Sequence, residues 1–180
     1  LPRPAKLADD SLEHGQLLKW IGNKQRFAGQ IISFFPEEYG TYFEPFLGSG
    51  AVLARLKPKL AFASDIFEPL IEIFQVLKDQ PELLISWYAE RMELVHAIGK
   101  KAAYARVLHS FNQNNNGADF IFLTRACYGG VVRFRKVDGY MSTPCGVHTP
   151  ISVESFADRV RKWHTRVQGT TFESGDFRDI

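Results

Sequence analysis

Between Thr41 and Leu77 the chain changes period repeatedly, and that alternation constrains its fold more than any other stretch. Thr41-Tyr42-Phe43 reads as a strand and runs into the turn Glu44-Pro45-Phe46-Leu47-Gly48-Ser49-Gly50. A short helix through residues 51–56 has to end before Pro58, which lacks an N–H and clashes with a preceding helical turn. Residues 60–64 form a second strand closing on Asp65. From Pro69 onward Leu70, Ile73, Phe74 and Leu77 recur at helical spacing. Strands joined through helices pair in parallel, because a tight hairpin cannot connect them. The order therefore predicts an α/β fold with helices packed on a parallel sheet.

The flanks extend this reading. Residues 1–10 are a polar, Pro-containing leader, expected to be a flexible end. A helix is predicted from Lys24, with Phe27, Ile31, Phe34 and Phe35 on one face and Pro36 as its stop. Residues 81–108 read as helical with a break at Gly99, and Asn112-Gln113-Asn114-Asn115-Asn116-Gly117 reads as a loop or mobile insertion. A further helix spans residues 120–126. Val131-Val132-Arg133-Phe134-Arg135-Lys136 and Tyr140-Met141-Ser142-Thr143 flank Asp138-Gly139, a strong hairpin signal. Ser152 can cap a last helix, with Ile151 and Phe156 at the staple positions. That helix would bury Phe156, Val160 and Trp163 and present Arg159, Arg161, Lys162 and Arg166 elsewhere. Thr170-Thr171-Phe172-Glu173 is a third strand leading into Gly175-Asp176-Phe177. Three parts follow: residues 1–80 and 151–180 build the α/β core, and 81–150 form an inserted helix-and-hairpin lobe.

Composition excludes several classes. At 180 residues with 45% hydrophobic and 23% charged side chains, the chain is neither disordered nor a disulfide-stapled miniprotein. Its apolar runs are too short to span a membrane, and its first residues lack a signal-peptide core. Cys127 and Cys145 are too few for a disulfide or metal framework, which favours a cytoplasmic protein; Cys127 itself reads as a buried apolar filler. The net charge of +2 conceals an asymmetry: residues 1–90 sum to −3 and residues 91–180 to +5. A basic half suits a polyanionic partner, although solvated helices account for charge alone equally well.

Small residues in Gly48-Ser49-Gly50 allow backbone N–H groups to approach a ligand near a helix start, although glycines also serve tight turns sterically. Asp65, ending the second strand, can reach a ribose bound over the first strand, or cap the helix that follows. A dinucleotide fits poorly, since Leu53 stands where that fingerprint needs a third glycine. A nucleoside with an amino-acid tail fits better: Lys24 can meet a carboxylate, and Trp20 offers an apolar face. S-adenosylmethionine has these features.

Lys19-Trp20-Ile21-Gly22-Asn23-Lys24, Phe43-Glu44-Pro45-Phe46-Leu47-Gly48-Ser49-Gly50 and Asp65-Ile66 together resemble the Dam-type DNA adenine-N6 methyltransferases. The first is similar to the family's K-W-x-G-x-K segment, with Asn23 where the family often has Gly. The second is similar to its E-P-F-x-G-S-G loop, and the third to its ribose-binding Asp. The resemblance implies a Rossmann-like methyltransferase sheet. It also implies an S-adenosylmethionine site made by Trp20, Lys24, Phe46, Gly48, Gly50, Asp65, Asp176 and Phe177. Methyl transfer to a flipped adenine in double-stranded DNA would be direct, with no metal and no covalent enzyme intermediate.

Residues 123–130, followed by the basic hairpin, look like the family's target-recognition region. From Arg125 to Lys136 the only charged residues are Arg125, Arg133, Arg135 and Lys136, all cationic. A two-stranded ribbon fits the major groove, where arginine grips guanine edges or spans phosphates. Arg133 and Arg135 share one face of the strand, while Val132 and Phe134 share the other. The expected DNA contacts are Arg125, Tyr128, Arg133 and Arg135.

The family activates the adenine amine with an Asp-Pro-Pro-Tyr tetrapeptide after a later strand. No Asp/Asn/Ser-Pro-Pro-aromatic sequence occurs in these 180 residues. The expectation is a cofactor- and DNA-binding part without catalytic residues of its own, its sheet incomplete. It would be a fragment of a longer enzyme, a subunit completed by a second chain, or a degenerate cofactor- and DNA-binding module; the rival function is a non-catalytic DNA-binding subunit or regulator.

Overall fold

The computed structural model describes residues 15–179; the leader read at residues 1–10 lies outside them. The first helix, α1 (Ala28–Ile32), is followed by β1 (Tyr42–Glu44), α2 (Ala51–Leu56), β2 (Ala61–Asp65) and α3 (Glu68–Asp79). Then come α4 (Pro81–Ile98), α5 (Lys100–Gln113), α6 (Gly117–Ala126), α7 (Val153–His164) and β3 (Thr170–Ser174). The three strands form a parallel sheet in the order β1-β2-β3, with Tyr42 opposite Ala61 and Ala61 opposite Thr170. The alternation between Thr41 and Leu77 thus becomes two parallel strands linked through α2. No helix among the described residues is long and apolar enough to cross a membrane.

The core lies where α3 crosses the sheet. Leu70, Ile73, Phe74 and Leu77 are all fully buried, as their spacing predicts. Phe74 stacks on Phe172 of β3 with centroids 5.4 Å apart, and Gln75 Nε2 donates to the Phe172 carbonyl at 3.0 Å. The helices of residues 81–150 share this core. Tyr88 of α4 stacks on Phe156 of α7 at 4.2 Å and donates its hydroxyl hydrogen to the Ile151 carbonyl. Ser152 caps α7 by accepting the Ser155 N–H at 3.2 Å.

Three local expectations are corrected. The face of α1 that packs inward is Ala28, Gly29 and Ile32, while Phe34 is 82% exposed and Phe27 also faces solvent. Arg55 of α2 lies beneath this face, and a Cβ on Gly29 would sit 3.0 Å from its guanidinium, so only small residues fit there. Second, the Asn-rich run is an ordered junction between α5 and α6. Asn112 exchanges two hydrogen bonds with the Met141 backbone, at 3.0 and 2.8 Å, and Asn116 caps α6 by accepting the Asp119 N–H. Third, the basic face of α7 is partly turned inward. Arg159 donates to the Gln16 carbonyl, and Arg166, which lies past the end of α7, is buried with a bond to the Ala54 carbonyl.

The hairpin forms with an irregular ladder. Arg135 N–H donates to Tyr140, Ser142 N–H donates to Arg133, and Phe134 stands opposite Met141. Val132 is buried and Phe134 packs on Phe67 with centroids 5.2 Å apart, leaving Arg133 and Arg135 outward. Among the described residues, β1 pairs on one side only. Near that edge Phe43 is 65% and Phe46 69% exposed.

Candidate functional site

A cleft of about 310 Å³ opens at the C-terminal end of β1, between the 20–24 strip and the Gly48 turn. Trp20, Lys24, Phe46 and Gly48 all line it. The turn is held by its conformation and by contacts behind it. Gly48 and Gly50 both adopt positive φ, +50° and +63°. A Cβ on Gly50 would meet Phe74 at 2.8 Å, and one on Gly48 would meet the Trp20 indole at 3.1 Å. Trp20 in turn packs on Phe67 and Phe120, at 5.8 and 5.9 Å, so strip, turn and α6 are wedged together.

Asp65 fastens the far side of the turn. One carboxylate oxygen accepts the Gly48 N–H at 2.9 Å and the other accepts the Phe67 N–H at 3.1 Å. Asp65 thus ties the first strand's turn to the loop that leads into α3, where Phe67 occupies the N-cap position. Phe46 meets Phe177 with centroids 5.0 Å apart, which brings the segment after β3 to the same end of the sheet. Asp176 is gripped by Arg178 at 2.8 and 2.6 Å, and that side-chain bond holds its carboxyl below the usual range. Of the eight residues expected at the cofactor site, Trp20, Lys24, Phe46 and Gly48 line the cleft, while Gly50, Asp65, Asp176 and Phe177 lie outside its lining, tied to that sheet end through the turn and Phe46. Lys24 differs in detail: it precedes α1 in a turn, where its ammonium donates to the Gly22 carbonyl at 2.8 Å.

Glu44, quoted only as part of a motif, is the residue sequence reasoning missed. It ends β1 and lines the same cleft as Lys24. One oxygen accepts both the Tyr42 hydroxyl and the Leu53 N–H, each at 3.1 Å, while its other oxygen bonds nothing among the described residues. Burial pushes its carboxyl up to about 7, against the lowering effect of those two hydrogen bonds. A carboxyl and an ammonium on one cleft suit a zwitterion. The available signal was an acidic residue closing a strand just before a glycine turn.

The four expected DNA contacts divide. Tyr128 is 58% exposed, and Arg133 is exposed on the hairpin's outer face. Arg135 is exposed too, but Asp138 holds its guanidinium, with one bond at 3.0 Å, and it lies over the Tyr140 ring. Arg125 differs from these three. It is buried, and its guanidinium donates to the Gln16 and Leu17 carbonyls at 2.9 and 2.8 Å. Burial, assisted by the nearby Arg159, pushes it down to about 10. Both bonds leave from Nη1, so Arg125, expected as a DNA contact, is a buried clamp on the Gln16–Leu17 segment. Lys19, absent from the expected set, lines a second cleft with Tyr128 and His148.

The model of the D12 class N6 adenine-specific DNA methyltransferases matches residues 20–180, and the chain belongs to that family. Among curated proteins, the Type II methyltransferase M.MjaIII of Methanocaldococcus jannaschii is 33% identical over 154 residues, 75% of this chain and 53% of that protein. The DNA adenine methylase of Haemophilus influenzae is 25% identical over 98% of this chain and 62% of its own length. That of Vibrio cholerae O395 is 27% identical over 68% of this chain and 45% of its length. The chain spans about half the length of the curated relatives it matches.

Two predictions follow from the site. Replacing Arg125 by Met leaves the buried Leu17 carbonyl without its donor and the Gln16 carbonyl with Arg159 alone, and should cost about 1–3 kcal/mol in urea unfolding. Duplex affinity per folded molecule should stay unchanged; a large selective loss of it would restore Arg125 as a DNA contact. Glu44 is raised in the fold, so its contribution to stability is full at low pH and is lost as pH rises through about 7. In Glu44→Gln that decline should vanish from the pH dependence of the melting temperature; an unaltered decline would assign it to another group.

Proposed function

We propose that this chain is the S-adenosylmethionine- and DNA-binding part of a site-specific DNA adenine-N6 methyltransferase. The observation that carries the reading is the single cleft at the end of β1. There Lys24 and Glu44 line one cleft beside a glycine turn that Asp65 braces. The residues present fit the cofactor. Lys24 would take the carboxylate and Glu44 the ammonium of its amino-acid end. Trp20 and the turn backbone would flank the sulfonium. Asp65 would accept the ribose hydroxyls, and Asp176, Phe46 and Phe177 would frame the adenine. When bound, S-adenosylmethionine supplies an electrophilic methyl on a sulfonium for direct displacement by the adenine N6 amine.

This chain's own residues bind and orient. Asp65 holds the Gly48 N–H in place and so braces the cleft floor. Tyr128 and Arg133, outward beside the cleft-bearing core, would meet duplex DNA, with Arg135 joining once it exchanges Asp138 for a phosphate. The Asp-Pro-Pro-Tyr segment that accepts the amine hydrogens would come from the rest of the protein or from a second chain.

Asp65→Ala should lower S-adenosylmethionine affinity about tenfold to a hundredfold in calorimetry, the loss of one or two charge-assisted hydrogen bonds. Duplex binding should be nearly intact; equal losses in both would undermine the ribose assignment. Activity is tested by transfer of a labelled methyl to duplex DNA, with and without a segment carrying the Asp-Pro-Pro-Tyr sequence. Label in N6-methyladenine only when that segment is present is the expected result. No transfer in either arm contradicts the enzyme reading and favours a non-catalytic DNA-binding subunit.

A further inference from the structure

Cys127 and Cys145 stand directly opposite one another where the basic hairpin leaves α6. The Tyr128 N–H donates to the Pro144 carbonyl and the Gly146 N–H to the Ala126 carbonyl, both at 2.8 Å. These bonds flank the two cysteines and make them a non-hydrogen-bonded antiparallel pair. In such a pair the Cα atoms lie about 4.5 Å apart, with both side chains on one face of the ribbon. A disulfide closes over Cα separations of about 4.4–6.8 Å, so the backbone already satisfies it. The close approach is built in, since a Cβ on Gly146 would fall 2.8 Å from the Cys127 carbonyl oxygen. Both thiols are free, and among the described residues each makes a long sulfur contact, 3.7 Å to the Thr124 carbonyl and 3.6 Å to the Gly146 carbonyl. Cys145 is half-buried and so open to a small reagent, and Cys127 lines a cleft of about 300 Å³ beside Lys19 and Tyr128.

We propose that Cys127 and Cys145 are a modification site: they form a reversible disulfide across the root of the basic hairpin, by exchange with a low-molecular-weight disulfide such as glutathione disulfide. The Cys145 thiol loses its proton to solvent and its thiolate attacks one reagent sulfur. The reagent S–S bond breaks, and the first glutathione leaves as a thiolate that takes up a proton. Cys127, deprotonated in turn, attacks the Cys145 sulfur of the mixed disulfide and releases the second glutathione. Two protein thiols are oxidised while one reagent disulfide is reduced to two thiols. Burial pushes the Cys127 thiol up, which assigns the first attack to Cys145. The closed bond would brace Tyr128-Gly129-Gly130, whose two glycines both have positive φ, against residues 144–146. Its consequence for DNA rests on the reading given under Proposed function.

The test is a glutathione redox titration of the protein, followed by alkylation, digestion and mass spectrometry. The expected product is a linked Cys127–Cys145 peptide, lost again on treatment with dithiothreitol. Cys127→Ser and Cys145→Ser should carry at most a glutathione adduct and no internal link. A native protein that stays reduced across the series, or that stops at a stable mixed disulfide, overturns the proposal. Duplex affinity of the linked and reduced forms separates the two claims. A link that forms without changing that affinity retains the modification site and counts against the hairpin's role in DNA binding.

Discussion

The chain segment from Gly15 to Leu18 has no regular secondary structure, yet Leu17 and Leu18 are fully buried, so its carbonyls need donors from elsewhere. Arg125 of α6 supplies bonds to Gln16 and Leu17, Arg159 of α7 bonds Gln16, and the Trp163 indole donates to Gly15 at 2.7 Å. Burying a guanidinium costs several kcal/mol, and only charge-assisted bonds of this kind offset it. The rest of the site depends on that clamp. It delivers Trp20 and Lys24 to the mouth of the cleft, and Trp20 then packs against the Gly48 turn that Asp65 holds from behind. A lobe helix, the last long helix and the strip along the cleft are thereby one mechanical unit.

Much of this was legible in the sequence because it is local. The parallel sheet follows from the strand–turn–helix order, the buried face of α3 from its spacing, and the outward Arg133 and Arg135 from strand alternation. The gathering of Trp20, Lys24, Gly48 and Asp65 was legible through the order of their motifs. What was not legible depends on partners remote in sequence. The carbonyl that Arg125 binds at Leu17 lies 108 residues away. No count of cationic residues distinguishes a guanidinium facing a phosphate from one facing a backbone. The inward face of α1 is set by Arg55, and the order of the Asn-rich run by the Met141 backbone. Glu44 was hidden differently: its significance is a combination of burial and a shared cleft with Lys24, and neither shows in one dimension.

Charge is distributed accordingly. The acidic half of the chain contains the cleft, where single carboxylates are placed one by one against backbone N–H groups. The basic half contains the hairpin, whose apolar side is anchored by Val132 and Phe134 and whose outer side carries exposed cations. The chain belongs to the D12 class, and under the proposed reading the cleft at the end of β1 takes the methyl donor while the hairpin meets the duplex.

The central claim is that the donor binds at the end of β1, between the Trp20 strip and the Gly48 turn. Ultraviolet photolabelling with methyl-labelled S-adenosylmethionine, followed by peptide mapping, tests it most directly. The account predicts label within residues 20–24 or 43–50, suppressed by excess S-adenosylhomocysteine. Label confined to the hairpin or to α4 and α5, or label that the competitor does not displace, would contradict it.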